Sequence, residues 1–521
     1  MENIVNLNDV FFNCYFLIGG LFLSYLVYKI FYVLFNNNNY IQINYKSRGH
    51  TWRSILCNKS IPYNIYCTTC GKLMLHQDGL FCECCGVSAC KSCCRAVDKR
   101  FRCKAITWPS DKAFYHHWVD VGSFRTQNAD NSENGPKKFF CCWCQKIKLS
   151  YLNALSETEE CNFHRYRDII IPPTCVQVEK GAITSIKPLL DDNWEPLIIF
   201  ANRKSGSNRS DEVLSLFRGL LNPIQVVDIS TTSPESVVRW LPPRCRILAA
   251  GGDGTVAWIL NSLLAAGHMG AAVGILPMGT GNDLSRVLGW GPGCGSHLDA
   301  HSIITSIKQA NEQVLDRWKV TITPRRGRLG RARERVVFAY NYASIGVDAQ
   351  VALDFHRARS QFLHRYASRM LNYVAYAWLG ATRAWDAGAC DALERRLAAR
   401  VDGAELALPP LQALVVLNIP SWGAGVDLWS MGNEGEVEPQ RIDDGKIEVV
   451  GISSSIHIAR LQCGLAEPYR FTQGSKVKIE LNGTCAMQVD GEPWMQGPAT
   501  VRVARAGQCR VLRAASARAA L

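Results

Sequence analysis

The longest apolar stretch in the chain is Val10 to Phe35, with Lys29 as its single charge. As a helix it can cross the roughly 30 Å of a bilayer's hydrocarbon. Only Glu2 and Asp9 carry charge ahead of it, so the basic n-region of a signal peptide is missing and a retained transmembrane helix over 10–35 is expected. A hairpin broken at Gly19-Gly20 and lying in the interface is the alternative. Lys46, Arg48, Arg53 and Lys59 follow, which by the positive-inside rule puts the bulk of the protein in the cytosol. Beyond Pro172-Pro173, apolar runs suited to buried strands (Leu197 to Ala201, Ile247 to Ala250, Ala271 to Pro277) alternate with helix-patterned segments such as Glu212 to Leu221. This alternation predicts an α/β unit over 192–315 with a parallel sheet covered on both faces. After Asp316-Arg317-Trp318 the period shortens to alternating strands: Lys319 to Thr323, Val336 to Tyr342, Ala413 to Ile419, Lys446 to Ile452, Lys476 to Leu481 and Ala499 to Val503. A β-rich, sandwich-type unit over 316–505 is expected, with a helical insertion from about His356 to Trp385 and a tail that frays from Arg502 onward.

Composition adds the class of each part. At 521 residues the chain is too long for one core, and its 47% apolar and 20% charged residues are those of a globular protein. Net charge is +13, which suits an anionic membrane surface or nucleic acid and decides neither. Of 22 cysteines, fourteen lie between Cys57 and Cys161 at CxxC spacings. That clustering reads as zinc in a reducing compartment and excludes a secreted disulfide framework.

The chemistry gathers at two glycine turns. Ile247 to Ala250 enters Gly251-Gly252-Asp253-Gly254-Thr255, and Ala271 to Pro277 enters Met278-Gly279-Thr280-Gly281-Asn282-Asp283. A strand, a glycine turn and a helix make a phosphate site, because backbone without Cβ approaches a polyphosphate closely and helix N–H groups favour its charge. A Walker A loop is excluded, since no lysine stands in either turn. Gly252, Gly254 and Ala257 satisfy GxGxxA, but the acid that a dinucleotide fold needs after the next strand is Asp283, inside the second glycine loop.

The paired turns, GGDGT and LPMGTGNDLSRVLGWG (Leu276 to Gly291), resemble the catalytic domain of the diacylglycerol kinase family, related to sphingosine and ceramide kinases. Asn202-Arg203-Lys204-Ser205-Gly206 resembles its NxxSG loop. Asn341 to Asp348, Asn418 to Gly423 and Asp443 to Val450 resemble motifs of its accessory domain. Within the family, one N-terminal apolar segment and two adjacent cysteine modules look most like the epsilon type. The cysteine region resembles the C1 domain, an interleaved two-zinc module. Carried over onto 50–103, Cys67, Cys70, Cys90 and Cys93 would hold one ion, and His50, Cys82, Cys85 and Cys103 the other. Cys90 stands where that family has histidine, and several gaps differ. Over 116–161, His116, Cys141, Cys144 and Cys161 complete one site of a degenerate second module. Its other site is missing, with Leu149 and Leu152 at later ligand positions, and Cys142 is an extra thiol without an assigned role.

The resemblance implies a multidomain protein: small zinc-stapled modules behind a transmembrane helix, an α/β catalytic domain, and a β-sandwich accessory domain roofing the active-site cleft. It implies ATP-dependent phosphorylation of diacylglycerol, with ATP, Mg²⁺ and Zn²⁺ as cofactors, membrane lipids as partners and no nucleic acid. Asn202, Ser205, Gly251, Gly252, Gly254, Thr255, Gly279, Thr280, Gly281 and Asn282 would hold the nucleotide. Asp253 would serve nucleotide or Mg²⁺, and Asp490, in Val489-Asp490-Gly491-Glu492, would be the base. A silent membrane-bound lipid sensor and a sphingosine- or ceramide-type kinase are the alternatives. Six arginines in the eleven residues Arg325 to Arg335 suit anionic headgroups or a solvated loop.

Overall fold

The computed structural model describes residues 50–54, 67–72, 74, 79–123, 137–150, 159–189, 191–203, 209–295, 297–325, 333–361, 390, 392–431 and 438–515. The expected membrane helix, Ser205, Leu152 and most of the arginine-rich stretch lie outside these residues, as does the helical insertion beyond Gln361. Among the described residues no helix is long and apolar enough to cross a membrane.

The first cysteine module is a three-stranded antiparallel sheet, β1 (Trp52–Ser54), β2 (Gly79–Cys82) and β3 (Ser88–Cys90), followed by a helix Cys94–Arg100. The second repeats the sheet with β4 (Trp118–Ser123), β5 (Lys137–Cys141) and β6 (Ile147–Ser150). A hairpin of β7 (Val176–Glu179) and β8 (Ala182–Ile186) leads to the α/β unit. There β9 (Leu197–Ala201), β10 (Val226–Asp228), β11 (Cys245–Gly251) and β12 (Ala271–Pro277) run parallel in the order β10-β9-β11-β12. β9 and β12 are buried along their whole length, which is what a sheet covered on both faces requires.

β13 (Asn311–Pro324) is a single long strand, so the expected boundary at 315/316 falls inside it. The run expected as one strand over Val336 to Tyr342 is two, β14 (Arg335–Ala339) and β15 (Tyr342–Gly346). A helix begins directly at Val347 instead of near His356. The remainder is β16 (Leu397–Val401), β17 (Ala404–Glu405), β18 (Ala413–Leu417), β19 (Ile447–Ile452), β20 (Tyr469–Gly474), β21 (Lys476–Leu481), β22 (Cys485–Val489), β23 (Glu492–Gln496) and β24 (Ala499–Arg513).

The tail expected to fray from Arg502 is instead the strand that joins the molecule. β24 pairs with β21 through Ala499 to Ala504, with β13 along nearly its whole length, and in parallel with β12 at Val511. Its outward arginines hid an apolar alternation: Val501, Val503, Cys509, Val511 and Leu512 are all buried. The parallel sheet therefore continues into one layer of the accessory sandwich, a ten-stranded sheet in all. The opposite layer is six-stranded, ordered β20-β19-β18-β15-β22-β23. Trp318, Val320, Ile479 and Val501 from the first layer pack with Val415, Val449 and Met487 from the second in one core. A second core runs without a break from the cysteine modules into the parallel sheet, from Trp52 and Trp143 to Phe217, Ile199 and Ile275.

Candidate active site and metal centres

The three tetrads expected on the C1 pattern are the three groups that converge among the described residues. His50, Cys82, Cys85 and Cys103 form one; Cys67, Cys70, Cys90 and Cys93 the next; His116, Cys141, Cys144 and Cys161 the third. Within each, the donor atoms lie within 4.8 Å of one another, the span of four ligands around one tetrahedral ion. The histidines are oriented for the task. His50 presents Nδ1 toward Cys85 Sγ at 3.2 Å, while its Nε2 stands 3.3 Å from the Phe101 carbonyl. His116 Nδ1 faces Cys144 Sγ at 3.4 Å, with Glu159 3.7 Å from its Nε2. A ligating histidine usually has an acceptor on its far ring nitrogen, which fixes the tautomer and orients the ring. Cys142 is fully buried beside the third tetrad.

The two glycine turns meet backbone to backbone. A Cβ built on Gly279 would stand 2.5 Å from the Gly252 Cα. Asn282, held at φ 53°, uses its whole amide on this loop: Oδ1 accepts from Gly279 N at 2.9 Å, and Nδ2 donates to the Gly279 and Pro292 carbonyls. Asp253 opens the helix Asp253–Ala265, yet its carboxylate reaches across to the second turn. There it accepts from the Asp283 and Leu284 amides, both at 3.1 Å. Thr255 Oγ1 accepts from Asn202 Nδ2 at 2.9 Å, which ties the β9 loop to the first turn. Asn202, Gly251, Gly252, Asp253, Gly254, Thr255, Gly279, Thr280, Gly281 and Asn282 thus share one edge of the parallel sheet, past the carboxyl ends of β9, β11 and β12. The amides of Asp253 and Gly254, at the start of a helix, are groups that a helix leaves without an internal acceptor.

The accessory domain faces this edge through two loops. In the first, Glu492 lies against the first turn, 3.4 Å from where a Cβ on Gly254 would be. Asp490, at φ 48°, is buried, and its carboxylate accepts from the Tyr340, Asn341 and Tyr342 amides at 2.8, 2.8 and 3.0 Å. Burial, with a smaller contribution from the charge of Asp253, pushes its pKa up to about 7 against the pull of those three donors. In the second, the buried Asp283 carboxylate accepts from Ser421 Oγ at 2.5 Å and from the Ala424 and Gly425 amides at 3.1 Å. Burial first, then Asp253, lifts Asp283 to about 6. A cavity of about 510 Å³ adjoins this contact, lined by Arg286, Ser421, Arg441, Asp443 and Arg513 among others.

Asp283 and Glu492 were given no role in phosphoryl transfer from sequence, although each stands beside a residue that was. The signal was present in both motifs as an acid next to a glycine turn. Asn418 opens one of the accessory-domain motifs but carried no sign of a role of its own, and Tyr340 carried no signal. Asn418 donates to the Asp316 and Tyr340 carbonyls and accepts from Trp318 Nε1, while the Tyr340 hydroxyl donates to Asn261. Together they fix the amides that cradle Asp490.

Two family models match the chain: the diacylglycerol kinase catalytic domain over residues 196–316 and the diacylglycerol kinase accessory domain over 338–493. Human diacylglycerol kinase theta is 36% identical over 60% of this chain and 34% of its own length. The Caenorhabditis elegans protein named probable diacylglycerol kinase 3 is 30% identical over 90% of this chain and 65% of its own. The chain therefore spans between about a third and two thirds of these relatives. A crystal structure of a diacylglycerol kinase from Bacillus anthracis str. Sterne covers 62% of this chain and 97% of that one, at 14% identity and a TM-score of 0.35.

Proposed function

The chain belongs to the diacylglycerol kinase family, and from that premise we propose that it transfers the γ-phosphoryl group of ATP to the free hydroxyl of diacylglycerol, yielding phosphatidic acid. The observation that carries this reading is the cleft itself: a carboxylate near neutrality, Asp490, roofs two glycine turns that meet at Gly252 and Gly279.

In this reading the Asp253 and Gly254 amides and Thr255 receive the polyphosphate, with Asn202 holding the Thr255 hydroxyl in place. Mg²⁺ accompanying the nucleotide neutralises charge on the phosphates. Asp490 takes the proton of the attacking lipid hydroxyl, a step for which a pKa close to ambient pH is optimal. Asp253 keeps the two turns in register by holding the Asp283 and Leu284 amides. Zinc in the three tetrads supplies a structural tether, and the donor sets fit it: two of three cysteines with one histidine, and one of four cysteines. The run over 10–35 anchors the protein, with the catalytic unit on the cytosolic side. The epsilon type, with its acyl-chain preference, is the finer reading within the family.

The test is labelled phosphate transfer from ATP·Mg²⁺ in mixed micelles that offer diacylglycerol, ceramide and sphingosine in parallel. Phosphatidic acid alone is expected. Ceramide or sphingosine phosphate would move the assignment to the related kinases. Asp253 and Asp490 both already accept backbone N–H groups, which favours one second reading, a silent sensor; ATP bound without turnover on any lipid would establish it.

A further inference from the structure

The first cysteine module grips the helix Ser210–Leu220 at both ends, and it does so with residues placed next to the ligands of one tetrad. Lys104 follows Cys103. Its buried Nζ donates to the Arg218, Gly219 and Leu221 carbonyls at 3.3, 3.1 and 2.8 Å, the orphan acceptors of the helix's last turn. It also lies 4.5 Å over the Trp143 ring of the second module. Glu83 stands between Cys82 and Cys85, with its carboxylate shared by Arg218 and, at 2.5 Å, Arg53. Arg53, three residues from His50, reaches Asp211 in the helix's first turn at 3.3 Å.

The contacts continue past the helix. Asp211 is 3.1 Å from Arg203 Nε, and that same nitrogen is 2.9 Å from Asp228. Arg203 follows Asn202, the residue that holds Thr255 of the first glycine turn. Side-chain exposure along this line runs from 1% at Glu83 to 28% at Asp211, so the pairs are partly shielded from solvent. Cations and carboxylates alternate: Arg218, Glu83, Arg53, Asp211, Arg203, Asp228. Removing Arg53 leaves Asp211 with excess negative charge, which draws Arg203 from Asp228 and turns the backbone that carries Asn202.

We propose that Arg53 is a positioning residue for the nucleotide site, through which the first cysteine module, as a fixed part of the catalytic unit, sets the affinity for the polyphosphate. This rests on the phosphoryl-transfer reading above. The full chain is titrated with a non-hydrolysable ATP analogue and Mg²⁺ by calorimetry, alongside metal analysis and steady-state kinetics. Arg53→Ala should weaken nucleotide binding and raise KM for ATP by about fivefold, with KM for the lipid and zinc content unchanged. Arg53→Lys should restore most of the loss. In an Arg203→Ala background Arg53→Ala should add nothing, because the two act in series. Asp228→Asn removes the carboxylate that holds Arg203 against the pull of Asp211 and should give the same shift, which keeps the test open if Arg53→Ala does not fold. Unchanged nucleotide affinity, or effects of Arg53 and Arg203 that simply add, overturns the proposal. Wild-type protein that binds no nucleotide overturns the phosphoryl-transfer reading and this inference with it.

Discussion

Asp490 combines features that usually oppose each other. Three amide donors favour a carboxylate, yet burial and the neighbouring Asp253 hold the group near neutrality, at about 7. In the proposed role of base it works only when ionised, so kcat/KM for the lipid should rise as pH climbs through about 7. Asp253→Asn removes a charge that raises this value, so the same limb should move to lower pH; a pH–rate series on both proteins checks it. For stability the sign is reversed. The folded-state value lies above the unfolded one, so this group's contribution is complete below the unfolded value and is lost as pH rises toward about 7. Asp490→Asn places an NH₂ where amide donors converge and should cost about 1–3 kcal/mol. The variant should still fold and bind ATP, with turnover down by about 10²- to 10⁴-fold; calorimetry and the micelle assay separate the two effects.

At the scale of elements, the glycine turns were legible because their chemistry is local: the strand, the glycines and the helix are contiguous. Gly279 shows how little room is left. A methyl there would meet the Gly252 backbone at 2.5 Å, and backbone cannot move aside as a side chain does. Gly279→Ala should lower stability by about 1–3 kcal/mol and separate the two turns, so that a thermal melt and ATP affinity fall together. The cysteine tetrads were legible for the same reason, since CxxC pairs state their own geometry. What the sequence hid was length and pairing. β13 and β24 each carry charge on the face that looks outward, as at Arg502, Arg505 and Arg510, and the alternation that marks a half-buried strand was masked by those arginines. β23 was hidden by Pro493, which sits in a strand paired on its β22 side. The amides that hold Asp490 come from residues about 150 positions away, a proximity that no local pattern encodes.

Across the whole molecule, the cysteine modules and the parallel sheet share one core, so metal loss should be felt beyond the modules. Cys85→Ser is expected to lower bound zinc and to shift the melt of the entire catalytic unit rather than of a separate small domain. A second, independent low-temperature transition in calorimetry would contradict that.

The placement of β24 has a further consequence for how the protein is made. The strand that closes the edge of β12 and completes the accessory sheet is also the last described one in the chain. Until it leaves the ribosome, β12 presents an open parallel edge and β13 lacks the neighbour it follows over fourteen residues. The nascent chain must therefore carry both half-built domains, with strand edges exposed, from the synthesis of β13 until β24 has emerged. Ending translation at Pro498 should yield only insoluble protein, whereas ending it at Ala515 should leave folding intact; pulse-chase solubility of the two products reads the difference.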